Sequence, residues 1–177
     1  MDKYVITGGP GSGKTNVLET LKSMGYSCSD EISRSLIMDE VEKKTDCLPW
    51  INLSCFADKV LEEMISAHKA TPANQLTFYD RGIPDIIAYL KVAGFPVANN
   101  YYDALQQHPY HKTAFILPPW RDIYINDSER WQTYQEAEQL FIGIAETYKS
   151  LGFNLVEVPK LEVTQRANYI VNYISNY

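Results

Sequence analysis

The chain has 177 residues, a length that suits one domain with one sizeable core. Hydrophobic residues make up 45 % of it, which argues for a folded globular protein and against a disordered one. The net charge of −6 argues against a protein that grips nucleic acid or an anionic membrane through bulk positive charge.

Tyr4 to Thr7 reads as a short buried strand. Gly8-Gly9-Pro10-Gly11-Ser12-Gly13-Lys14-Thr15 follows and fits Gly-x-x-x-x-Gly-Lys-Ser/Thr without insertion. From Asn16 to Met24 apolar residues fall at 17, 18, 21 and 24, a helical spacing. The motif thus lies between a strand and a helix, the context a phosphate-binding loop needs. Gly25 ends that helix, and Tyr26 to Ser29 form a short second strand. Asp30-Glu31 then leads into a helix through Val41, with Ile32, Leu36, Ile37 and Val41 on one face. Lys43 to Pro49 reads as a loop. Asn52 to His68 reads as a long helix, with a core-facing stripe through Leu53, Phe56, Val60, Leu61, Met64 and Ile65.

The third strand is Leu76 to Tyr79 and closes on Asp80-Arg81-Gly82. Pro84 fits the first turn of a helix that runs to about Ala93. A short helix covers Tyr101 to Gln107, and a fourth strand Thr113 to Leu117. An irregular stretch runs from Pro118 to about Gln132. Thr133-x-x-Glu136 has the form of a capping box and opens a helix that Gly152 ends. Phe153 to Val158 is the fifth strand, and a last helix carries Val163, Ala167, Ile170, Val171 and Ile174. Strands alternating with helices imply an α/β fold, a parallel sheet covered on both faces. With no linker, repeat or low-complexity tract, residues 1–177 read as a single domain with a lid-like segment at about 118–135.

Ligands collect at the carboxyl ends of parallel strands. Those ends carry the candidates. Gly9, Gly11, Ser12, Gly13, Lys14 and Thr15 are expected to cradle the phosphates of ATP. Thr15 and Asp80 are expected to hold Mg2+, Asp80 through water. Glu31 is the first choice for the base that takes a proton from an acceptor hydroxyl, with Asp30 the alternate. Either of the two could instead cap the following helix. Arg34 either binds the acceptor or pairs with Glu31. Arg81 either pairs with Asp80 or contacts substrate. Arg121 and Arg130 flank the irregular stretch, where a closing flap could bring them onto transferred phosphoryl charge. The surroundings of Lys160 could touch a purine base.

His108 and His111 could share one face of a turn but lack a third metal ligand; His68 is expected at a helix end. Cys28, Cys47 and Cys55 match no zinc spacing, and reduced, mostly buried thiols in the cytosol are expected. The chain shows no signal segment and no apolar run long enough to span a bilayer, so a cytoplasmic location is expected.

Several segments occur together in one order: residues 7–15, Glu31-x-x-Arg34, Tyr79-Asp80-Arg81-Gly82-Ile83-Pro84-Asp85, and Leu117-Pro118-Pro119-Trp120 with Glu129-Arg130. Together they resemble the small AAA-labelled P-loop family whose relatives include ribosylnicotinamide kinase domains and the animal TRPL translocation defect proteins. The resemblance spans nearly the whole chain. It implies a three-layer, nucleoside- or nucleotide-kinase-like P-loop NTPase fold, with a five-stranded sheet in the order 2-3-1-4-5.

The expected function is a small-molecule kinase that moves the γ-phosphoryl of MgATP to a nucleoside- or nucleotide-like acceptor. The alternative is a nucleotide-dependent switch with slow hydrolysis and a protein partner. A Ras-like switch would need Asp-x-x-Gly after the third strand, and residue 83 is Ile. An oligomeric AAA motor would need a helical lid domain for which the chain has no room.

Overall fold

The computed structural model describes residues 2–123 and 133–176. Five strands form one all-parallel sheet: β1 (Lys3–Thr7), β2 (Ser27–Cys28), β3 (Thr77–Asp80), β4 (Thr113–Ile116) and β5 (Asn154–Glu157). Their order is β2-β3-β1-β4-β5, as the resemblance implied. The helices are α1 (Lys14–Ser23), α2 (Ile32–Glu42), α3 (Leu53–Ala70), α4 (Ile83–Val92), α5 (Asn99–Gln107), α6 (Tyr134–Ser150) and α7 (Val163–Ser175).

The strands' two-residue period splits the core into two halves. Tyr4 and Ile6 of β1, Phe78 of β3 and Phe115 of β4 face one way and pack with Val17 and Leu21 of α1 and Ala167 and Ile170 of α7. Val5, Tyr79 and Ala114 face the other way, onto α3, α4, α5 and α6. Both faces are therefore covered, and β1, at the sheet's centre, is buried along its whole length. Lys3 is buried with it and is tolerated because its ammonium donates to the His68 carbonyl at 2.6 Å. Among the described residues no helix is long and apolar enough to cross a membrane.

The element ends differ from the sequence reading by a residue or two. β2 contracts from four residues to two because it is an edge strand paired only with β3. The capping box at Thr133 and Glu136 forms in both directions. His68 lies in the last turn of α3, buried beside the Pro109 carbonyl, and burial lowers its pKa. His108 packs against the His68 ring while His111 packs on the Tyr4 ring.

The cysteines require a correction. Cys47 and Cys55 are joined by a disulfide, and of the three expected thiols only Cys28 is free. A tight turn explains it: the Ile51 and Asn52 amides both donate to the Leu48 carbonyl. Asn52 then caps α3 through the Cys55 amide. The loop folds back on the helix start and brings the two Cα atoms to 5.3 Å. Spacing along the sequence carries no sign of that turn.

Candidate active site

β1 delivers the chain into the glycine loop at the centre of the sheet's carboxyl edge. Gly11 and Gly13 take φ of 72° and 83°, a region that other residues enter at a cost. Gly8 passes so close to the next strand's exit that a Cβ there would lie 2.5 Å from the Leu117 carbonyl oxygen. Ser12 Oγ donates across the turn to the Gly9 carbonyl at 2.9 Å. Lys14 opens α1, folds back and donates from Nζ to the carbonyls of Gly8 and Gly9 at 2.9 and 3.0 Å. Burial, assisted by the charge of Arg81, lowers its pKa to about 8 against the pull of Asp80, Glu31 and Asp85.

β3 runs beside β1 with Asp80 in register with Ile6. Asp80 is buried, its Oδ1 has no hydrogen-bond partner, and burial raises its pKa against the opposing charges of Lys14 and Arg81. Arg81 turns out of the strand with φ of 68°, a conformation a non-glycine residue holds only when its surroundings enforce it. Those surroundings are visible. Its amide donates to the Ile6 carbonyl, and its Nη1 donates to the Gly8 carbonyl at 3.0 Å. The guanidinium lies over the Tyr89 ring and 3.8 Å from Asp85. Arg81 thus pairs with Asp85.

Asp85 is the residue that fixes this corner. It is fully buried in the first turn of α4, where it accepts from the Gly82 amide at 2.8 Å, the Tyr148 hydroxyl at 2.5 Å and the Thr7 hydroxyl. One carboxylate thereby ties the end of β1, the start of α4 and the last turn of α6.

A cavity of about 1140 Å³ opens over the loop. Gly11, Ser12, Gly13, Lys14 and Thr15 line it, as do Glu31, Arg34 and Arg81. Glu31 occupies the N-cap position of α2 but makes no capping bond with its side chain; it pairs with Arg34 at 3.5 Å. Asp30 points away into solvent, 2.6 Å from Lys22, and does not line the cavity. Arg121 stacks on Tyr134 at 4.8 Å and is also outside the lining. Arg130 lies outside the described residues. Lys160 does not line the cavity, whereas Leu161, Glu162 and Val163 just beyond it do.

A family profile described as an AAA domain matches residues 3–166. The chain belongs to that AAA-domain family. No curated protein sequence matches it. Among solved structures, the family member resembles the deoxyadenosine kinase from M. mycoides with bound dATP. Identity is 19 % and the TM-score 0.65, over 99 % of this chain and all of that one. The NadR protein in complex with NR aligns at 16 % identity and TM-score 0.71, over 99 % of this chain and 51 % of that one. Thymidylate kinase from Ehrlichia chaffeensis aligns at 12 % identity and TM-score 0.67, over 98 % and 97 % of the two chains. These likenesses extend over the whole P-loop kinase-like fold.

The two candidate magnesium donors stand at the loop end of the sheet, Thr15 in the cavity lining and Asp80 outside it. Asp80 offers a buried carboxylate oxygen without a partner, and the exposed Thr15 lines the cavity at the start of α1. Two site residues escaped the sequence reading. Arg166 of α7 is 5 % exposed; it donates from Nη1 to the Ser12 carbonyl at 3.1 Å and lies over the Trp120 ring. Its signal was its place beside Ala167 and one turn before Ile170, an arginine on the buried stripe of a helix. Asp85 sat inside a quoted segment without a role; its signal was an acid three residues after the helix-opening glycine.

Proposed function

We propose that this chain is a small-molecule kinase that transfers the γ-phosphoryl of MgATP to a hydroxyl of a small acceptor. The single observation that carries the reading is one cavity that joins the phosphate loop, with Lys14 and Arg81, to a further region lined by Glu31, Arg34 and residues of α3. A nucleotide-binding switch needs the first set and has no use for a second chamber beyond it.

In this reading the loop amides and the α1 N-terminus face the polyphosphate, and Lys14 leaves the Gly8 and Gly9 carbonyls to meet its outer oxygens. Asp80 and Thr15 would hold the magnesium ion, which neutralises charge on the phosphates when bound. Glu31 takes the acceptor's proton, and its pairing with Arg34 holds the carboxylate in place for that task. Arg81, locked by Gly8 and Asp85, presents fixed positive charge beside the loop. Trp120 and Arg166 supply a flat wall on the α7 side for the nucleotide's base. Arg121 and Arg130 remain proposed lid donors. The protein's place in a water-filled compartment such as the cytoplasm is part of the same proposal.

The test is ADP release from MgATP with and without a panel of alcohols and nucleosides. A kinase accelerates with at least one acceptor and yields its phosphoester. A rate indifferent to every acceptor, with a protein partner captured only when ATP is present, favours the switch.

A further inference from the structure

The far end of the cavity has a composition that the kinase reading alone does not require. Resting on that reading, we infer that the acceptor is an uncharged alcohol with an apolar body, not a nucleoside or a phosphorylated nucleotide.

The walls beyond Glu31 come from α2, α3 and α4. Ile37, Phe56, Val60, Met64, Ile86 and Leu90 line this end, and all but Ile37 are more than nine-tenths buried. Every residue that α3 contributes to the lining is apolar, so the cavity runs straight into the core between α3 and α4. The polar groups near these walls are the Trp50 indole N–H, the Tyr89 hydroxyl, Ser33, and the Arg81–Asp85 pair, whose charges already meet; α6 adds only Glu136 and Gln139. A purine or pyrimidine base carries several donors and acceptors on its edge. Each one buried against α3 without a partner costs about tenfold in affinity.

Charge argues the same way against a phosphate on the acceptor. Four described cations line the cavity, Lys14, Arg34, Arg81 and Arg166. Lys14 and Arg166 hold loop carbonyls, Arg81 holds Gly8 and Asp85, and Arg34 pairs with Glu31. An acceptor phosphate would sit among the carboxylates of Glu31 and Asp85 with its cations already engaged. A neutral hydroxyl meets no such conflict.

The chemistry balances with MgATP as the co-reactant. The acceptor oxygen forms a bond to the γ-phosphorus, and the bond from that phosphorus to the β–γ bridging oxygen breaks. The bond's electron pair leaves on ADP, and the hydroxyl proton passes to the Glu31 carboxylate.

The experiment follows phosphoester and ADP formation by the full chain with MgATP. Acceptors are the phenylalkanols from benzyl alcohol to 4-phenylbutanol, with deoxyadenosine, thymidine and thymidine monophosphate alongside. The expected result is a kcat/KM that rises about fourfold per added methylene and exceeds that of all three nucleosides and nucleotides. Faster transfer to any of those three than to every alcohol overturns the inference and leaves the kinase reading standing. So does a flat methylene dependence. If no acceptor of any class raises the rate, the kinase reading falls and takes this inference with it. Val60→Thr keeps the side-chain shape and adds one hydroxyl to the wall. It should cut the advantage of 4-phenylbutanol over thymidine by about fivefold, and an unchanged ratio counts against the apolar wall.

Discussion

At the loop end of the cavity the wall is backbone and charge. Lys14, Arg81 and Arg166 all reach into the carbonyls of Gly8, Gly9 and Ser12, and Asp85 braces the strand beneath them. At the α3 end the wall is Phe56, Val60 and Met64, buried hydrocarbon with no charge. The contrast teaches a division of labour. The charged end suits a ligand fixed in every P-loop protein, a polyphosphate, and its residues are specified atom by atom. In the proposed reading the apolar end sets selectivity by shape and burial, which many sequences could achieve.

The largest break in that contrast comes from removing the loop's cation. Lys14→Ala is expected to lower acceptor-dependent turnover by about 10²–10³, read as ADP release at saturating MgATP. A variant within a few-fold of the unmodified protein would take Lys14 out of the phosphate site. Glu31→Gln stands at the junction of the two ends. It should reduce transfer by about 10² and leave MgATP affinity as it was, since the proposal assigns Glu31 to the acceptor's proton and not to the nucleotide. Normal transfer by this variant removes Glu31 from the mechanism. Arg166→Met sharpens the loop end alone. It deletes a charge-assisted bond to the Ser12 carbonyl and should weaken MgATP binding about tenfold in a direct titration. An effect on the acceptor's KM instead of on MgATP would place Arg166 on the wrong side of the loop. Tyr148→Phe is the mildest. It leaves Asp85 one donor short in a fully buried site and should cost about 1 kcal/mol in urea unfolding.

The same contrast governs what could be read from sequence. The loop end was legible because its residues are contiguous: spacing alone put Gly8 to Thr15 between a strand and a helix, and Asp80 at the end of β3. The core stripe of α3 was legible from its period, but the period could not tell that Phe56, Val60 and Met64 also line a cavity. Arg166 lies 154 positions from its partner Ser12, a distance no local pattern spans. Asp85 was hidden for the same reason, because its partners Thr7 and Tyr148 sit on β1 and α6. The Cys47–Cys55 bond depended on how a turn at Leu48 folds back on the start of α3, and Pro49 marks the turn but not that return. Of the two residues offered as base, Glu31 lines the cavity and Asp30 faces Lys22 in solvent, a difference in position that the sequence did not carry.

The most direct measurement is a calorimetric titration of MgATP in two buffers of different ionisation enthalpy, at about pH 7 and about pH 9. In the free protein the Lys14 pKa is lowered to about 8, so its amine is mostly charged at the lower pH and mostly neutral at the higher. A polyphosphate beside it raises that pKa and recharges it. The account predicts binding at both pH values, with little proton uptake near pH 7 and uptake of close to one proton near pH 9, lost in Lys14→Ala. Absence of MgATP binding, or uptake that persists in the alanine variant, would contradict the claim that this glycine loop and its lysine hold a nucleotide's phosphates.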